Sequence, residues 1–381
     1  MLRDRAAIAG IAHSAFAKQL PQSEQQLACE VAVAALRDAG IDPSEVDGLC
    51  SYTMEQTDAV DLARSIGAGD VTWFGQVGYG GGAGCATVGH AAMAVATGQA
   101  NVVLAWRARK RGSGGRPWAA GERRVDGYAR WSKPWGLLRP VDEVAMLARR
   151  YMHEYGVTRD HFANVAVACR SHANRNPAAI MYQRRLTREE YHEARWISDP
   201  LGLYDNCLET DGALAVVVVS AERARDCVQP PAYIHAFAQG MPSQHAVMTN
   251  YFCEDPLAGP SWACARRLWS DAELTPADID VAQIYDAFTP LIPLSLEGYG
   301  FCARGEGGDF TEGGNIEWPD GGLPINTSGG GLSEAYVHGF NLILEGVRQI
   351  RGTSTCQVDG ARACLVTSGE CVPTSALILR R

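Results

Sequence analysis

Apolar residues along this chain follow two spacings, one typical of strands and one typical of helices. Short, almost continuous apolar runs occupy residues 6–12, 214–219, 232–238 and 375–379. Runs of this length bounded by turn residues predict buried strands. Between them, apolar residues recur every three or four positions, as in amphipathic helices. Strands that alternate with helices predict an α/β protein with a mixed or largely parallel sheet.

A repeat divides the chain into two similar parts. Residues 40–49 (GIDPSEVDGL) resemble residues 273–282 (ELTPADIDVA): in each, a proline and an acidic stretch lead to a β-branched residue, an aspartate and an apolar strand. Self-similarity indicates a duplicated structural unit. The sequence therefore predicts two like halves at residues 1–225 and 226–381, with two similar sheets that share a buried helical layer.

An amphipathic helix is predicted before each copy of the repeat. The first begins at Ser23, where Gln26 is placed for a capping box, and it ends at Gly40. The second begins near Ser261 and continues past Trp269. The matching positions of the two helices agree with a duplication.

The first half also contains an inserted segment at about residues 107–199. Two helices are predicted in it, near residues 142–155 and 158–174. Its beginning is rich in basic residues: Arg107, Arg109, Lys110, Arg111, Arg116, Arg123 and Arg124. Such a loop is either a solvated cover or a phosphate-binding lid, because guanidinium groups suit phosphate oxygens and a basic mouth steers anions.

Composition narrows the class of protein and its surroundings. The chain has 381 residues and a formal net charge of −9, which argues against wholesale nucleic-acid binding. Its 12 cysteines lack the short spacings of zinc or redox motifs, so we expect buried free thiols in a reducing cytoplasm. Residues 1–15 lack the features of a signal peptide. No stretch has the roughly 20 apolar residues of a membrane helix.

A glycine-rich turn is the first segment with candidate chemistry. Residues 78–85 (GYGGGAGC) precede a predicted helix that ends at Gly98 and a strand at residues 100–105. Three successive glycines either allow close packing of helix and strand or form a nest of N–H groups that stabilises an oxyanion. The amides concerned are those of Gly80, Gly81 and Gly82.

Two further segments complete a set that resembles a known family. Residues 284–288 (IYDAF) follow the repeat strand, and residues 326–336 have the sequence NTSGGGLSEAY. With the glycine turn, they resemble the thiolase superfamily, specifically its sterol-carrier-protein-type branch, and especially the lipid-transfer-protein aldolases that shorten steroid side chains. This resemblance covers nearly the whole chain. It implies a duplicated α/β thiolase fold of two βαβαβαββ halves in five αβαβα layers, with an inserted loop domain.

When the chain is aligned with thiolases on these motifs, it lacks the thiolase nucleophile. Thiolases place a reactive cysteine at a helix N-terminus, which lowers the pKa of a thiol, and that position falls on Gly81. Cys85 comes one helical turn later and is expected to point into packing. The polar residue of the thiolase Asn-Glu-Ala-Phe motif becomes Tyr285, and the catalytic histidine becomes Tyr336. His338 has the wrong spacing for that histidine.

Loss of the thiol removes covalent acyl transfer, whereas retro-aldol cleavage of a β-hydroxyacyl-CoA needs only proton transfers. We therefore predict a carbon–carbon lyase in which Tyr285 and Tyr336 act as acid and base, in an order that the sequence leaves open. Asp286 either orients Tyr285 or is a structural carboxylate. The glycine turn would hold the thioester oxygen, and we also place Gly330 and Gly331 among the substrate or oxyanion contacts. We predict no metal, and no cofactor apart from the CoA of the substrate.

The resemblance also implies the substrate and the partners. The substrate would be a steroid acyl-CoA with a tertiary hydroxyl next to the ring, released as a ketone and a short acyl-CoA such as propionyl-CoA. Trp106, Trp118, Trp131 and Trp135 either line an apolar slot for it or pack in the core and lid. The resemblance further implies a homodimer across the first-half sheet. It also implies a partner with an OB-fold and a zinc ribbon, often joined to a hydratase.

Alternatives stay open at this level. The missing nucleophile is also compatible with a non-catalytic thiolase-like subunit that carries a lipid or supports a partner. An acyltransferase that uses Cys85 is a second alternative. The C-terminal Cys-Gly-Gly segment of thiolases has its nearest counterpart at residues 367–371 (TSGEC), where Cys371 is a candidate but the glycine run is missing.

Overall fold

The computed structural model describes residues 2–52, 54–114, 125–246, 248, 250–251 and 253–381. Its strands are β1 (Ala6–His13), β2 (Gly48–Tyr52), β3 (Trp73–Val77), β4 (Val102–Lys110), β5 (Trp196–Ser198), β6 (Leu201–Gly202), β7 (Asp211–Ser220), β8 (Ala232–Gly240), β9 (Val281–Gln283), β10 (Ala363–Thr367) and β11 (Thr374–Arg380). Its α-helices are α1 (Glu24–Ala39), α2 (Ala59–Ile66), α3 (Gly84–Ala96), α4 (Pro140–Tyr155), α5 (Arg159–Ala173), α6 (Arg188–Glu193), α7 (Ala221–Ala224), α8 (Pro260–Ala272), α9 (Leu291–Gly298), α10 (Gly307–Phe310), α11 (Gly330–Ser333) and α12 (Phe340–Arg351).

The strand order confirms the predicted duplication. Across the large sheet the order is β3-β2-β4-β7-β1-β8-β11-β10-β9. In each half a parallel pair (β2 with β4, β9 with β10) is followed by a long antiparallel strand (β7, β11) and then by the first strand of that half (β1, β8). Next to β9, one parallel bridge between Ala282 and Ile325 takes the place that β3 occupies in the first half.

Three apolar clusters fill the spaces between the layers of the molecule. On one outer face, α1 buries Leu27, Val31 and Leu36 against the first-half strands. On the opposite outer face, α8 buries Cys264 and Leu268 against the second-half strands. Between the sheets, α3 and α12 each contact strands of both halves. This is the five-layer αβαβα arrangement with a shared helical layer.

The two sheets also join at one edge, which the repeat did not predict. Strand β1 pairs with β8 at Ala7 with Tyr233 and at Ile8 with Ala232. The halves are therefore linked by backbone hydrogen bonds as well as by the helical layer. The predicted boundary between residues 225 and 226 falls between α7 and β8 and stays a prediction.

Local sequence determines where the predicted helices begin and end. The Ser23 hydroxyl accepts the N–H of Gln26 at 3.1 Å, and Gly40 ends α1 in the left-handed region with a φ of 72°. The capping box is only half formed, because the Gln26 side chain donates to Glu30 instead of returning to residue 23. Helices α4, α5 and α8 lie within two residues of their predicted starts.

The inserted segment begins later than predicted, because β4 continues to Lys110. Arg107 and Arg109 are buried on this strand and do not belong to a lid. The Lys110 ammonium donates to the carbonyls of Leu20 and Gln22. Three further residues of the predicted basic loop lie outside the described residues: Arg116, Arg123 and Arg124.

The tryptophans and cysteines divide between core and surface. Trp106 is fully buried in the first-half core, Trp131 and Trp135 are exposed, and Trp118 lies outside the described residues. All 12 cysteines are free thiols, most of them buried. Among the described residues, no helix combines the length and the apolar character that crossing a membrane requires.

Candidate active site

Three chain segments meet where α3 begins. Tyr285 follows β9, and its N–H donates to the Thr367 hydroxyl at the end of β10 (3.1 Å). Tyr336 follows α11, and its N–H donates to the Thr210 hydroxyl just before β7 (3.0 Å). The turn before α3 supplies Gly81. Its carbonyl oxygen accepts a backbone hydrogen bond from the segment that follows β10. These backbone contacts bring together positions that lie far apart in the sequence.

The two phenols form one hydrogen-bonded pair. The Tyr285 and Tyr336 hydroxyl oxygens are 2.5 Å apart, and the rings cross at 64° with centroids 6.1 Å apart. Both side chains are buried, and burial raises the pKa of each hydroxyl above its usual value. A short hydrogen bond between buried phenols allows a proton to pass from one to the other, as an acid–base pair requires.

Residue 81 has no side chain, and Tyr285 fills that space. A Cβ atom at Gly81 would overlap the Tyr285 hydroxyl oxygen and would lie 2.5 Å from Tyr285 Cζ. A cysteine at this position is therefore incompatible with the observed tyrosine. Glycine at position 81 and tyrosine at position 285 therefore depend on each other, because the Tyr285 phenol occupies the volume that a nucleophilic side chain at position 81 would need.

The glycine turn uses one of its three amides internally. The Gly82 N–H donates to the Tyr79 carbonyl at 3.0 Å, which corrects the oxyanion role predicted for Gly82. Within the described parts of the chain, the N–H groups of Gly80 and Gly81 form no hydrogen bond. Those two amides have the capacity to bind an oxyanion. Gly80 has a φ of 51°, a conformation that favours glycine.

Asp286 holds the loop that carries Tyr336. Its carboxylate accepts the N–H groups of Gly331 (2.7 Å) and Leu332 (3.1 Å), and a Cβ atom at Gly330 would overlap it. Burial raises the pKa of Asp286 to about 6, although the two amides favour its charged form. Of the two roles considered for Asp286, this geometry favours the structural one. It also corrects the oxyanion role predicted for Gly331, whose amide is already bonded, whereas the role of Gly330 stays a prediction.

Arginines that the sequence placed in a lid flank the tyrosine pair instead. The fully buried Arg107 lies 3.3 Å from the Glu55 carboxylate and 2.6 Å from His338 Nδ1. The Arg111 guanidinium lies over the Tyr336 ring, 5.5 Å from its centroid. Burial and the nearby guanidinium groups hold the pKa of His338 well below its usual value, so its ring is neutral. The sequence could have indicated this cluster, because residues two apart along a strand point to the same face of the sheet.

Neither candidate cysteine has the properties of a nucleophile. The Cys85 thiol is buried and donates to the Val366 carbonyl (3.4 Å), and burial raises the pKa of Cys85 to about 12. Burial also raises the pKa of Cys371. Thr367, rather than Cys371, contacts the backbone of Tyr285. The burial of Cys85, its hydrogen bond and its raised pKa argue against an acyltransferase that uses this thiol as its nucleophile.

One cluster with metal-ligand chemistry combines His161, on the first turn of α5, with Asp309 on α10 and Glu312 just after it. His161 Nε2 is 3.1 Å from a Glu312 oxygen and 3.8 Å from an Asp309 oxygen. Because His161 Nδ1 accepts the Thr158 N–H (3.1 Å), Nε2 carries the proton in the neutral ring and donates to Glu312. This arrangement completes a helix cap and does not leave Nε2 as a ligand.

The chain has close relatives with the same arrangement of elements. A family model described as thiolase C-terminal domain-like matches residues 245–380. The chain is 49% identical to the steroid side-chain-cleaving aldolase of Thermomonospora curvata, over 100% of this chain and 98% of that protein. The chain belongs to the steroid side-chain-cleaving aldolase family. Its likeness to thiolases is therefore one of fold, with a different site.

Two further relatives place this aldolase in the same family. It is 48% identical to the 17-hydroxy-3-oxo-4-pregnene-20-carboxyl-CoA lyase of Mycobacterium tuberculosis, over 100% of each chain. The solved Ltp2-ChsH2(DUF35) aldolase matches it with a TM-score of 0.96 and 48% identity, covering 100% of this chain and 98% of that one. That solved structure contains a DUF35 component.

Proposed function

We propose that this protein is an acyl-CoA lyase that cleaves a β-hydroxyacyl-CoA by a retro-aldol reaction. The observation that carries the proposal is the Tyr285–Tyr336 hydrogen bond of 2.5 Å in the space left by the missing side chain at Gly81. A thiolysis would need a thiolate at that place, whereas a retro-aldol cleavage needs an acid and a base. The tyrosine pair supplies an acid and a base.

The retro-aldol step proceeds without a covalent intermediate. One tyrosine takes the proton of the substrate hydroxyl, and the O–H electrons form the ketone C=O. The carbon–carbon bond breaks, and its electrons form a thioester enolate whose oxygen accepts from the Gly80 and Gly81 amides. The other tyrosine protonates the enolate carbon. Electrons are conserved within the substrate, so the reaction requires no redox cofactor and CoA takes part only as a portion of the substrate.

We propose a steroid side-chain CoA thioester as the substrate. The name of the 48% identical lyase describes a hydroxyl on carbon 17 and a thioester carboxyl on carbon 20. Because those carbons are adjacent, that compound is a β-hydroxyacyl-CoA. Cleavage between carbons 17 and 20 gives a ketone at carbon 17 and a three-carbon product, propionyl-CoA. The same chemistry is what the tyrosine pair would perform here.

We propose two kinds of partner. The DUF35 component of the related aldolase supports a complex with a protein that has an OB-fold and a zinc ribbon, with or without a fused hydratase. A second copy of this chain is proposed at β3, the outermost strand of the first half. An edge strand offers unpaired backbone groups, and the exposed Phe74 adds apolar surface to it. The free thiols support a reducing, cytoplasmic location.

Product analysis without an added thiol tests the proposed function. The protein and its DUF35-type partner are incubated with a 17-hydroxy steroid acyl-CoA, and both products are quantified by liquid chromatography and mass spectrometry. We expect ketone and propionyl-CoA in equal amounts, with no dependence on free CoA. Consumption of free CoA would indicate thiolysis. Absence of cleavage in the reconstituted complex would favour the non-catalytic subunit.

A further inference from the structure

The segment of residues 334–339 joins α11 to α12 and carries Tyr336. Two successive residues at its end, His338 (φ 53°) and Gly339 (φ 75°), have left-handed backbone conformations. This conformation is unfavourable for a residue with a side chain, so it persists only where the surroundings enforce it. The segment therefore depends on contacts outside its own backbone to keep Tyr336 in place.

Glu334, the first residue of this segment, makes such contacts with a buried carboxylate. Its Oε2 atom accepts the Ser328 hydroxyl (2.6 Å) and Asn341 Nδ2 (2.8 Å), and its Oε1 atom accepts Asn176 Nδ2 (3.2 Å). Arg348 Nη1 lies 3.5 Å from Oε1. We call these five residues the Glu334 clasp. Because Asn341 lies on the first turn of α12, its bond to Glu334 ties together the two ends of the segment.

Backbone hydrogen bonds attach the same end of the segment to the stretch that follows α5. The Ile180 N–H donates to the Glu334 carbonyl (2.9 Å), and the Met181 N–H donates to the Ser333 carbonyl (3.2 Å). The clasp therefore connects three parts of the chain: the stretch after α5, the loop before α11, and α12. A group with fixed partners on several elements holds its neighbours to a small range of positions.

We propose that Glu334 is a positioning residue for the cleavage reaction, and that its charged carboxylate, through the clasp, keeps the Tyr336 hydroxyl aligned with Tyr285 and the substrate. This inference rests on the retro-aldol function proposed above and deepens it. Glu334 touches no reacting atom and acts through the two backbone links that separate it from Tyr336. The four partners of the carboxylate present donors, and an ionised carboxylate is a pure acceptor.

Protonation of Glu334 would change the clasp. Burial raises the pKa of Glu334 to about 7, although Arg348 favours the charged form. A protonated carboxyl brings a donor against other donors. The buried Asn341 Oδ1 forms no hydrogen bond within the described residues, so rotation of that amide would supply an acceptor for the new proton. Of the residues that the structure describes, the charged groups that face Glu334 are Arg348 and Glu345, both on α12.

The pH profile of cleavage by Glu334→Gln tests this inference in the complex with the DUF35-type partner. A glutamine resembles the protonated acid, so the variant should match the wild-type kcat near about pH 5.5 and be about tenfold slower near about pH 8.5, with KM unchanged. A purely structural role would lower kcat by the same factor at every pH.

Glu297→Gln is the matched control, because Glu297 is also buried but accepts the Tyr151 hydroxyl and the Gly307 N–H, outside the clasp. Its kcat should follow the wild-type pH profile. Thermal unfolding is measured for every variant. Asn341→Ala opens the clasp and keeps the carboxylate, so it replaces a Glu334→Gln protein that does not fold, with the same loss of about tenfold near about pH 8.5.

An exchange of the two groups provides a rescue. In Glu334→Gln/Asn341→Asp the new amide donates to the new carboxylate, so kcat near about pH 8.5 should return to within about threefold of wild type. Glu334→Gln/Asn341→Ala has no such pair and should stay impaired. A Glu334→Gln profile parallel to wild type at every pH, with Tyr336→Phe strongly impaired, overturns the role of Glu334 and leaves the retro-aldol function standing. Full cleavage by both Tyr→Phe variants overturns the retro-aldol function itself.

Discussion

Tyr285 can stand beside the turn before α3 only because residue 81 has no side chain. Its hydroxyl then reaches Tyr336, which stands where the sequence register places the thiolase histidine. One glycine and two phenols thus replace a thiol and an imidazole within the same backbone frame. At the residue scale the chemistry depends on this mutual fit, and substitutions at these positions should be strongly coupled.

Gly81→Ala is expected to displace the Tyr285 ring. The added methyl group would lie 2.5 Å from Tyr285 Cζ, so we expect a loss of stability of about 1–3 kcal/mol and a severe loss of cleavage. In a Tyr285→Ala background the same substitution meets no ring and should cost less than about 1 kcal/mol. Urea unfolding of the four proteins measures this coupling. Additive costs in the double variant would mean that the ring and residue 81 do not compete for space.

A buried carboxyl near the site makes stability depend on pH. Burial raises the pKa of Glu370 to about 8 from an ordinary 4.5, so the folded protein holds an extra proton between those values. The free energy of unfolding therefore falls as pH rises through that window. We expect Glu370→Gln to match wild type near about pH 5 and to exceed it by about 2–4 kcal/mol near about pH 9.

Denaturant unfolding at both pH values measures the effect of Glu370→Gln. The exposed Glu193→Gln is the control, and it should unfold like wild type at each pH. A wild-type protein whose stability is the same at both pH values would contradict the raised pKa of Glu370.

At the scale of elements, a carboxylate positions α11 and the short segment that joins it to α12. Asp286 accepts the N–H groups of Gly331 and Leu332 at the start of α11. This contact fixes the loop that ends in Tyr336 and aligns it with Tyr285. The sequence singled out Asp286, but only the structure distinguishes a contact with backbone amides from a contact with the tyrosine hydroxyl.

Asp286→Ala should loosen this loop and lower activity through Tyr336. Two buried N–H groups lose their acceptor, so we expect a destabilisation of about 2–5 kcal/mol and a reduced kcat. Asp280→Ala is the matched control, because Asp280 accepts the N–H groups of Arg362 and Ala363 at the other end of β9. It should lose some stability and keep its kcat. Equal kcat in Asp286→Ala and wild type would contradict the positioning role.

Sequence pattern predicted the elements well and the site in part. Helix α1 has the predicted Ser23 cap and Gly40 end, since both depend on local backbone chemistry. The tyrosines could be found because motifs fix their register. Arg107 was misplaced in a lid, because the end of β4 depends on pairing with the distant β7. The pairing of β1 with β8, which joins the two sheets, also depends on contacts between residues far apart in the chain. The periodicity of the sequence does not reveal such contacts.

At the scale of the whole molecule, two halves of like topology enclose α3 and α12 between their sheets. This frame keeps the site between the halves, where segments from both contribute. Gly81 comes from the first half, and both tyrosines come from the second. The outer edge of the first half, strand β3, is the surface proposed for a second copy.

Phe74→Glu should separate a dimer that forms through β3. The side chain is 79% exposed, so the charge does not disturb the folded monomer, whereas two such charges would face each other across paired edges. Sedimentation velocity should show a shift from dimer to monomer. Val228→Glu is the control, because Val228 is 71% exposed elsewhere. A dimer that survives Phe74→Glu would place the interface on another surface.

Single-turnover cleavage by Tyr→Phe variants tests the central claim most directly. Tyr285→Phe and Tyr336→Phe each remove one hydroxyl of the pair, and each should slow cleavage of the steroid acyl-CoA by about 10²–10⁴-fold. Tyr299→Phe is the matched control, since this buried tyrosine lies in a different apolar cluster, and it should cleave at the wild-type rate. Near wild-type rates in both pair variants would contradict the account.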